Sequence, residues 1–184
     1  MYDAVYPWVK GGAEKRIYEL SRRLAARGHV VHCYGMKWWQ GEDEIEREGV
    51  RFHGICEPRP LYVNGKRSIG EAAYFAARLL AHPSQEAVVD CQNFPYLSCF
   101  SARLSSSWRK KNQKLFITWH EVWKDYWHEY LGRKGEMGRI TELIAARLTD
   151  RNLAVSKRTA RDLEGLGARG VQVVPNGIDW QKIE

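Results

Sequence analysis

Apolar and polar positions along this chain switch repeatedly between a helical period and a strand period. Ala13, Ile17, Leu20 and Leu24 fall on one stripe of a helix over 12–27, and Gly28 supplies its stop. A buried strand at 29–36 follows, then a polar, acidic segment at 41–48 and a second strand at 50–56. Pro58 and Pro60 mark a loop. Ser68 with Glu71 three residues on is a capping-box signature for a helix ending at His82-Pro83. Strands at 86–91, 114–119, 152–155 and 171–174 alternate with helices at 96–104, at 137–148 and from Ser156 to about 166. On the 137–148 helix, Met137, Ile140, Ile144 and Leu148 share one side.

Strands separated by helices predict an α/β domain, a doubly wound and mainly parallel Rossmann-like sheet with helices on both faces. Ligands in such sheets bind beyond the carboxyl ends of the strands. That rule puts four segments on one rim: the loop at 10–12, Gln92-Asn93, His120-Glu121 and Ser156-Lys157. Only residues 1–5 precede Tyr6-Pro7, so the strand that should be central is curtailed.

Composition narrows the class. At 184 residues, 44% hydrophobic and 28% charged, the chain suits one globular domain with a real core. It carries neither an apolar run of the roughly 18 residues a membrane span needs nor a basic-then-apolar leader. The expectation is a soluble, cytoplasmic domain. Cys33, Cys56, Cys91 and Cys99 are too widely spaced for a zinc site, and no disulfide framework is expected. The formal charge of +7 points to an anionic partner: nucleic acid, a phosphorylated ligand or an anionic lipid surface.

Candidate chemistry begins at Gly11-Gly12, directly before the first helix. Glycines there let backbone approach a ligand, and free N–H groups with the helix dipole favour a phosphate; a tight loop made of glycine for steric reasons is the plain alternative. Trp119, Trp123, Tyr126, Trp127 and Tyr130 recur at three- and four-residue steps among Lys124, Arg133 and Lys134. They form either a packing face or an acceptor platform, since aromatic rings stack on sugars. The basic run at 108–111 with Lys114 is a solvated loop or an attraction to lipid phosphate, which would bring peripheral membrane contact. Of Arg16, Arg22, Arg23 and Arg27 on the first helix, most read as solvent-facing, and Trp38-Trp39 as a candidate border of the acceptor cleft.

The order of the pieces resembles the N-terminal domain of retaining glycosyltransferases of the GT-B fold, family 4. The matching residues are Tyr6-Pro7 with Gly11-Gly12-Ala13-Glu14, the run from Leu24 to Val31, Thr118-Trp119-His120-Glu121, Ala154-Val155-Ser156 and Val174-Pro175-Asn176-Gly177-Ile178-Asp179. The resemblance implies a Rossmann-like acceptor-side domain over 1–175 and the start of an interdomain linker at 176–184, with a C-terminal donor-binding domain lying outside this chain. It implies sugar transfer from a nucleotide sugar to a carbohydrate or lipid-linked acceptor, with retention and without a metal or other cofactor. Gly11 and Gly12 match the loop that approaches the donor diphosphate, His120 the cleft histidine near the transferred sugar, and Asn176 and Gly177 the hinge. Trp119, Glu121, Trp123 and Asn93 become candidates for the acceptor cleft. The resemblance also implies that this half does not turn over substrate unaided. Two alternatives stand beside it: a basic nucleic-acid-binding module, for which no motif is present, and another GT-B enzyme such as a nucleotide-sugar epimerase.

Overall fold

The computed structural model describes residues 1–109 and 113–177. Helix α1 (Gly12–Ala25) leads into strand β1 (Val31–Gly35). Strand β3 (Val50–Gly54) pairs parallel with β1, and β2 (Glu44–Arg47) runs antiparallel along the outer side of β3. The acidic 41–48 segment thus contains an edge strand. Its composition hid it, because a strand with little to bury keeps no apolar alternation. A hairpin of β4 (Tyr62–Val63) and β5 (Lys66–Arg67) turns at Asn64-Gly65, whose φ values of 52° and 75° suit a type I′ turn.

The second half follows the expected alternation: α2 (Ile69–Ala81), β6 (Val88–Gln92), α3 (Leu97–Arg109), β7 (Lys114–Trp119), α4 (Tyr126–Leu131), α5 (Gly135–Ala145), β8 (Asn152–Ala154), α6 (Lys157–Gly165) and β9 (Val171–Val173). Strands β6 to β9 form a parallel sheet in chain order. Both serine caps are in place: Ser68 Oγ accepts from Glu71 N at 3.2 Å and Ser156 Oγ from Thr159 N at 3.0 Å.

Residues 1–3 join the two sheets. Tyr2 N donates to Tyr34 O at 3.1 Å and Met36 N to Asp3 O at 3.2 Å, a parallel pairing with β1. On the other side Gln92 N donates to Met1 O at 3.2 Å, and Met1 N to Asp90 O at 2.7 Å. The short segment therefore sits centrally, between β1 and β6, as the order of elements predicted. Helices cover both faces. Ser21 of α1 lies against Cys33, while Phe75 and Leu79 of α2 pack on the opposite side with Tyr34 and Met36.

Two helices turn a different face inward than their apolar stripes suggested. In α1 the buried residues are Glu14, Tyr18 and Ser21, while Leu20 and Leu24 are exposed. The inward positions are taken by Tyr18, packed in a cluster with Val5, Trp39 and Phe52, and by Glu14, whose carboxylate fills the space that a Cβ at Gly11 would occupy. In α5 the inward residues are Gly135, Gly138, Glu142 and Ala145, and Met137, Ile140 and Ile144 face outward. Gly138 permits this rotation, because the Trp127 ring lies where its Cβ would be. The side chains of the basic run at 108–111 lie outside the described residues. No described helix is long and apolar enough to cross a membrane.

A buried charged cluster locks α2 to the central segment. Asp3, Arg67 and Glu71 are all buried; Arg67 pairs with Asp3, and its Nε lies 3.8 Å from Glu71. Neither Glu71 oxygen meets a donor among the described residues. Burial, and then the charge of Asp3, push the Glu71 carboxyl up to about 8, against the opposing pull of Arg67. Unfolded, the same group titrates near its ordinary 4.5. The folded state therefore holds an extra proton between those values, and stability falls as pH rises through that window. Chemical denaturation at pH 5, 7 and 9 should show the decline, and Glu71→Gln should reduce it. A variant with the wild-type slope would show that Glu71 does not carry it.

Candidate functional site

His120 stands at the carboxyl end of β7, where the chain leaves the sheet. Two side chains fix the turn there through three hydrogen bonds. Its N–H donates to Asn93 Oδ1 at 3.2 Å, its carbonyl accepts from Thr159 Oγ1 of α6 at 3.4 Å, and Asn93 Nδ2 reaches Glu121 O at 3.4 Å. Asn93 is fully buried and its amide is spent on this turn. It therefore positions the site instead of lining an acceptor cleft as expected. Trp119 needs the same correction. It has no exposure, and its indole N–H donates to Asn152 Oδ1 at 2.9 Å inside the core.

The imidazole is held by a chain of side chains from β6. His120 Nε2 lies 2.9 Å from Gln92 Oε1, Gln92 Nε2 donates to Asp90 Oδ2 at 3.0 Å, and Thr118 Oγ1 donates to Asp90 Oδ1 at 2.7 Å. Two carboxylate oxygens accept only, so the Gln92 amide must turn its NH2 to Asp90 and its oxygen to His120. The imidazole then carries its proton on Nε2. In the neutral ring Nδ1 keeps a lone pair, with no hydrogen-bond partner among the described residues.

Arg16 was not foreseen here. It is half-buried, not solvent-facing: its Nη2 donates to Val174 O at 3.0 Å just after β9, and its Nε has no partner among the described residues. Burial lowers the pKa of the guanidinium. Burial, and then the Arg16 charge, hold His120 below its ordinary 6.5, so the ring is neutral near pH 7. A signal was available in the chain: residue 16 lies one helical turn beyond Gly12, on the same side of α1. At that entrance Gly11 and Gly12 are both exposed, and a Cβ at Gly12 would meet nothing within 4 Å.

The aromatic stretch that follows Trp119 becomes helical only at Tyr126. Residues 121–125 are a loop pinned by the buried carboxylate of Glu142, which accepts from Trp123 N at 2.8 Å, Lys124 N at 2.9 Å and Tyr96 Oη at 2.8 Å. Glu121 is thereby left exposed beside His120 and plays no part in a helix turn. Trp123 is half-buried, 4.9 Å from Phe94 and 4.8 Å from Tyr130 between ring centroids. Trp38 and Trp39 serve structure, donating to Asp3 O and Glu42 O at 2.8 Å each. Asn176 and Gly177 follow the Arg16 contact as exposed residues, and Ile178 and Asp179 lie outside the described residues.

Nitrogen-15 NMR of the full chain checks the histidine. His120 should be the Nε2-protonated tautomer at pH 7 and titrate below 6.5, and Arg16→Gln should raise its midpoint. An Nδ1-protonated ring, or a midpoint unmoved by Arg16→Gln, would contradict this electrostatic reading.

Comparisons with known proteins agree with this architecture. The family model described as Glycosyltransferase Family 4 matches residues 10–182. No curated protein sequence matches the chain. Among solved structures it is similar to the sucrose-phosphate synthase of Thermosynechococcus elongatus, with a TM-score of 0.71 and 13% identity over 98% of this chain. The match covers 48% of the synthase, so the chain spans about half the length of that protein. An identity this low speaks for the fold alone; the family rests on the sequence match across most of the chain. The chain belongs to glycosyltransferase family 4, and its fold is the N-terminal Rossmann-like half of the GT-B architecture.

Proposed function

We propose that this domain forms the acceptor-side wall of a retaining hexosyltransferase that uses a nucleotide-sugar donor. In this reading a hinge at Asn176 and Gly177 leads to a second domain that binds most of the donor. The observation that carries the proposal is the rim where His120, its ring held through Nε2 by Gln92, and Arg16, one helical turn beyond the glycine entrance of α1, both stand at the carboxyl ends of the strands. Negative charge grows on the diphosphate as its bond to the sugar breaks. The N–H groups at Gly11 and Gly12, with the cation of Arg16, are preset donors for that charge.

The sugar passes through an oxocarbenium-like state. The acceptor hydroxyl attacks on the face the diphosphate leaves, and a departing phosphate oxygen takes its proton. Retention then needs neither a protein nucleophile nor a metal. His120 contributes by accepting a hydroxyl of the transferred sugar at Nδ1, while Gln92 and Asp90 keep that lone pair in place. Glu121 and Trp123 are the accessible groups beside it and meet the acceptor, a glycan or lipid-linked sugar.

The test uses the protein with both domains. His120→Ala should lower kcat by about 100-fold, the scale of losing one preset hydrogen-bonding group, with donor KM changed far less. Gly12→Val should raise donor KM while leaving the melting temperature nearly unchanged, because a side chain there enters open space. NMR of the product anomer reads retention. Full activity in His120→Ala, unchanged donor kinetics in Gly12→Val, or an inverted product would each count against the corresponding part of the mechanism.

A further inference from the structure

Two histidines meet on the face of the first sheet against which α2 packs. By the strand register, His32 and Tyr34 of β1, Arg51 and His53 of β3, and Glu44 and Glu46 of β2 all project to this side. His32 Nδ1 lies 2.8 Å from His53 Nε2, and His53 Nδ1 lies 2.9 Å from Glu44 Oε1. Glu86, in the connection between α2 and β6, brings its Oε1 to 3.7 Å from the same His32 Nδ1. The cluster shares no residue with the site around His120.

The protons in this chain of contacts follow from what each atom can do. A carboxylate only accepts, so His53 carries a proton on Nδ1. In the neutral ring Nε2 is then an acceptor, and the proton in the 2.8 Å contact belongs to His32 Nδ1. His32 keeps a lone pair on Nε2. One added proton enters there and leaves the contact intact, because a single proton still lies between the two rings whichever of them holds the charge. A second added proton breaks it. Both facing nitrogens then carry N–H, two donors and two like charges 2.8 Å apart.

The surroundings supply one receiver for the displaced N–H. Arg51, opposite His32, is a cation paired with Glu46 at 3.5 Å. Lys37 pairs with Asp43 at 2.7 Å ahead of β2. From α2, Arg78 Nε donates to Ile55 O at 3.4 Å, and beyond it His82 Nδ1 lies 2.9 Å from Arg78 O. The Tyr34 ring stacks on His53 with centroids 4.6 Å apart. Burial, and then the charges of Glu86 and Glu44, push its phenol up to about 12, so it remains a donor. Among the described residues Glu86 is the carboxylate paired with His32. Its backbone is anchored, since Gln113 Nε2 donates to Glu86 O at 2.7 Å. A ring movement of about 1 Å brings the Glu86 contact to hydrogen-bond length.

We propose that the His32–His53 pair is an acid-operated latch: on the second proton, His32 releases His53 and binds Glu86. The side-chain tie then passes from β1–β3 to the connection ahead of β6, while His53 keeps Glu44. Both protons come from solvent, and only N–H bonds form. The latch does not depend on the transfer reaction proposed above.

Nitrogen-15 spectra of the full chain with labelled histidine read each state. At about pH 8 both rings should carry their proton on Nδ1, and a scalar coupling across the hydrogen bond should connect His32 Nδ1 with His53 Nε2. Acidification to about pH 4.5 should abolish that coupling, with both rings fully protonated and the backbone amide spectrum still that of a folded chain. Glu86 is partly exposed, so Glu86→Ala should leave the fold intact. In that variant the coupling should be present at about pH 8 and persist about one pH unit further into acid, the scale of losing one nearby carboxylate.

A neutral His53 protonated on Nε2, or a coupling that survives at about pH 4.5, would overturn the proposal. So would a coupling lost at the same pH in Glu86→Ala and in the parent chain. Loss of the coupling only when the whole amide spectrum collapses would overturn it as well, because the latch would then not operate in the folded protein.

Discussion

Backbone pairing by residues 1–3 on both of their sides is the constraint on which the rest of the molecule depends. Without it, β1 and β6 would face each other as two bare parallel edges, a form that proteins keep buried. The pairing is confined to the carboxyl ends of those strands, where Tyr34, Met36, Asp90 and Gln92 supply the partners. The rim that carries the site is therefore held in register across both sheets. Asp3 extends this hold. Its carbonyl accepts from Met36 N and from the Trp38 indole, and its carboxylate binds Arg67, drawing the hairpin and α2 to the same edge.

Polar side chains, more than apolar packing, shape the site itself. Asn93 secures the turn at His120, Gln92 selects the imidazole tautomer, and Glu142 gathers three donors from two loops. A hydrogen bond to a charged group contributes about 1.5–3 kcal/mol, and an orphaned buried partner costs a similar amount, so such contacts discriminate between loop conformations that apolar contacts would tolerate alike. A wall fixed this way suits chemistry that relies on groups already aimed at developing charge.

Much of this was legible in the chain. The alternation of strands and helices, the serine caps at 68 and 156, the strand ending at Trp119 and the central place of residues 1–3 all follow from local pattern and ordering rules. The inward faces of α1 and α5 were not legible. In both helices a ring decides the rotation, Tyr18 in its cluster with Phe52 and Trp127 against Gly138, and the ring's partners come from other elements. Arg16 likewise looked like one more surface arginine, since its two distinguishing neighbours, Val174 and His120, are more than a hundred residues away.

By itself, then, the sequence determined the kind of domain and the edge on which its candidate residues gather, because periodicity, caps and glycine placement act over a few residues. Which of the marked residues stay accessible was decided only by the tertiary structure. Trp119 and Asn93 go into the core, Glu121 and Trp123 remain accessible, and burial with the Arg16 charge lowers the His120 pKa. Burial, tautomer and field at each position are sums over neighbours brought together from distant parts of the chain, and no local window contains them.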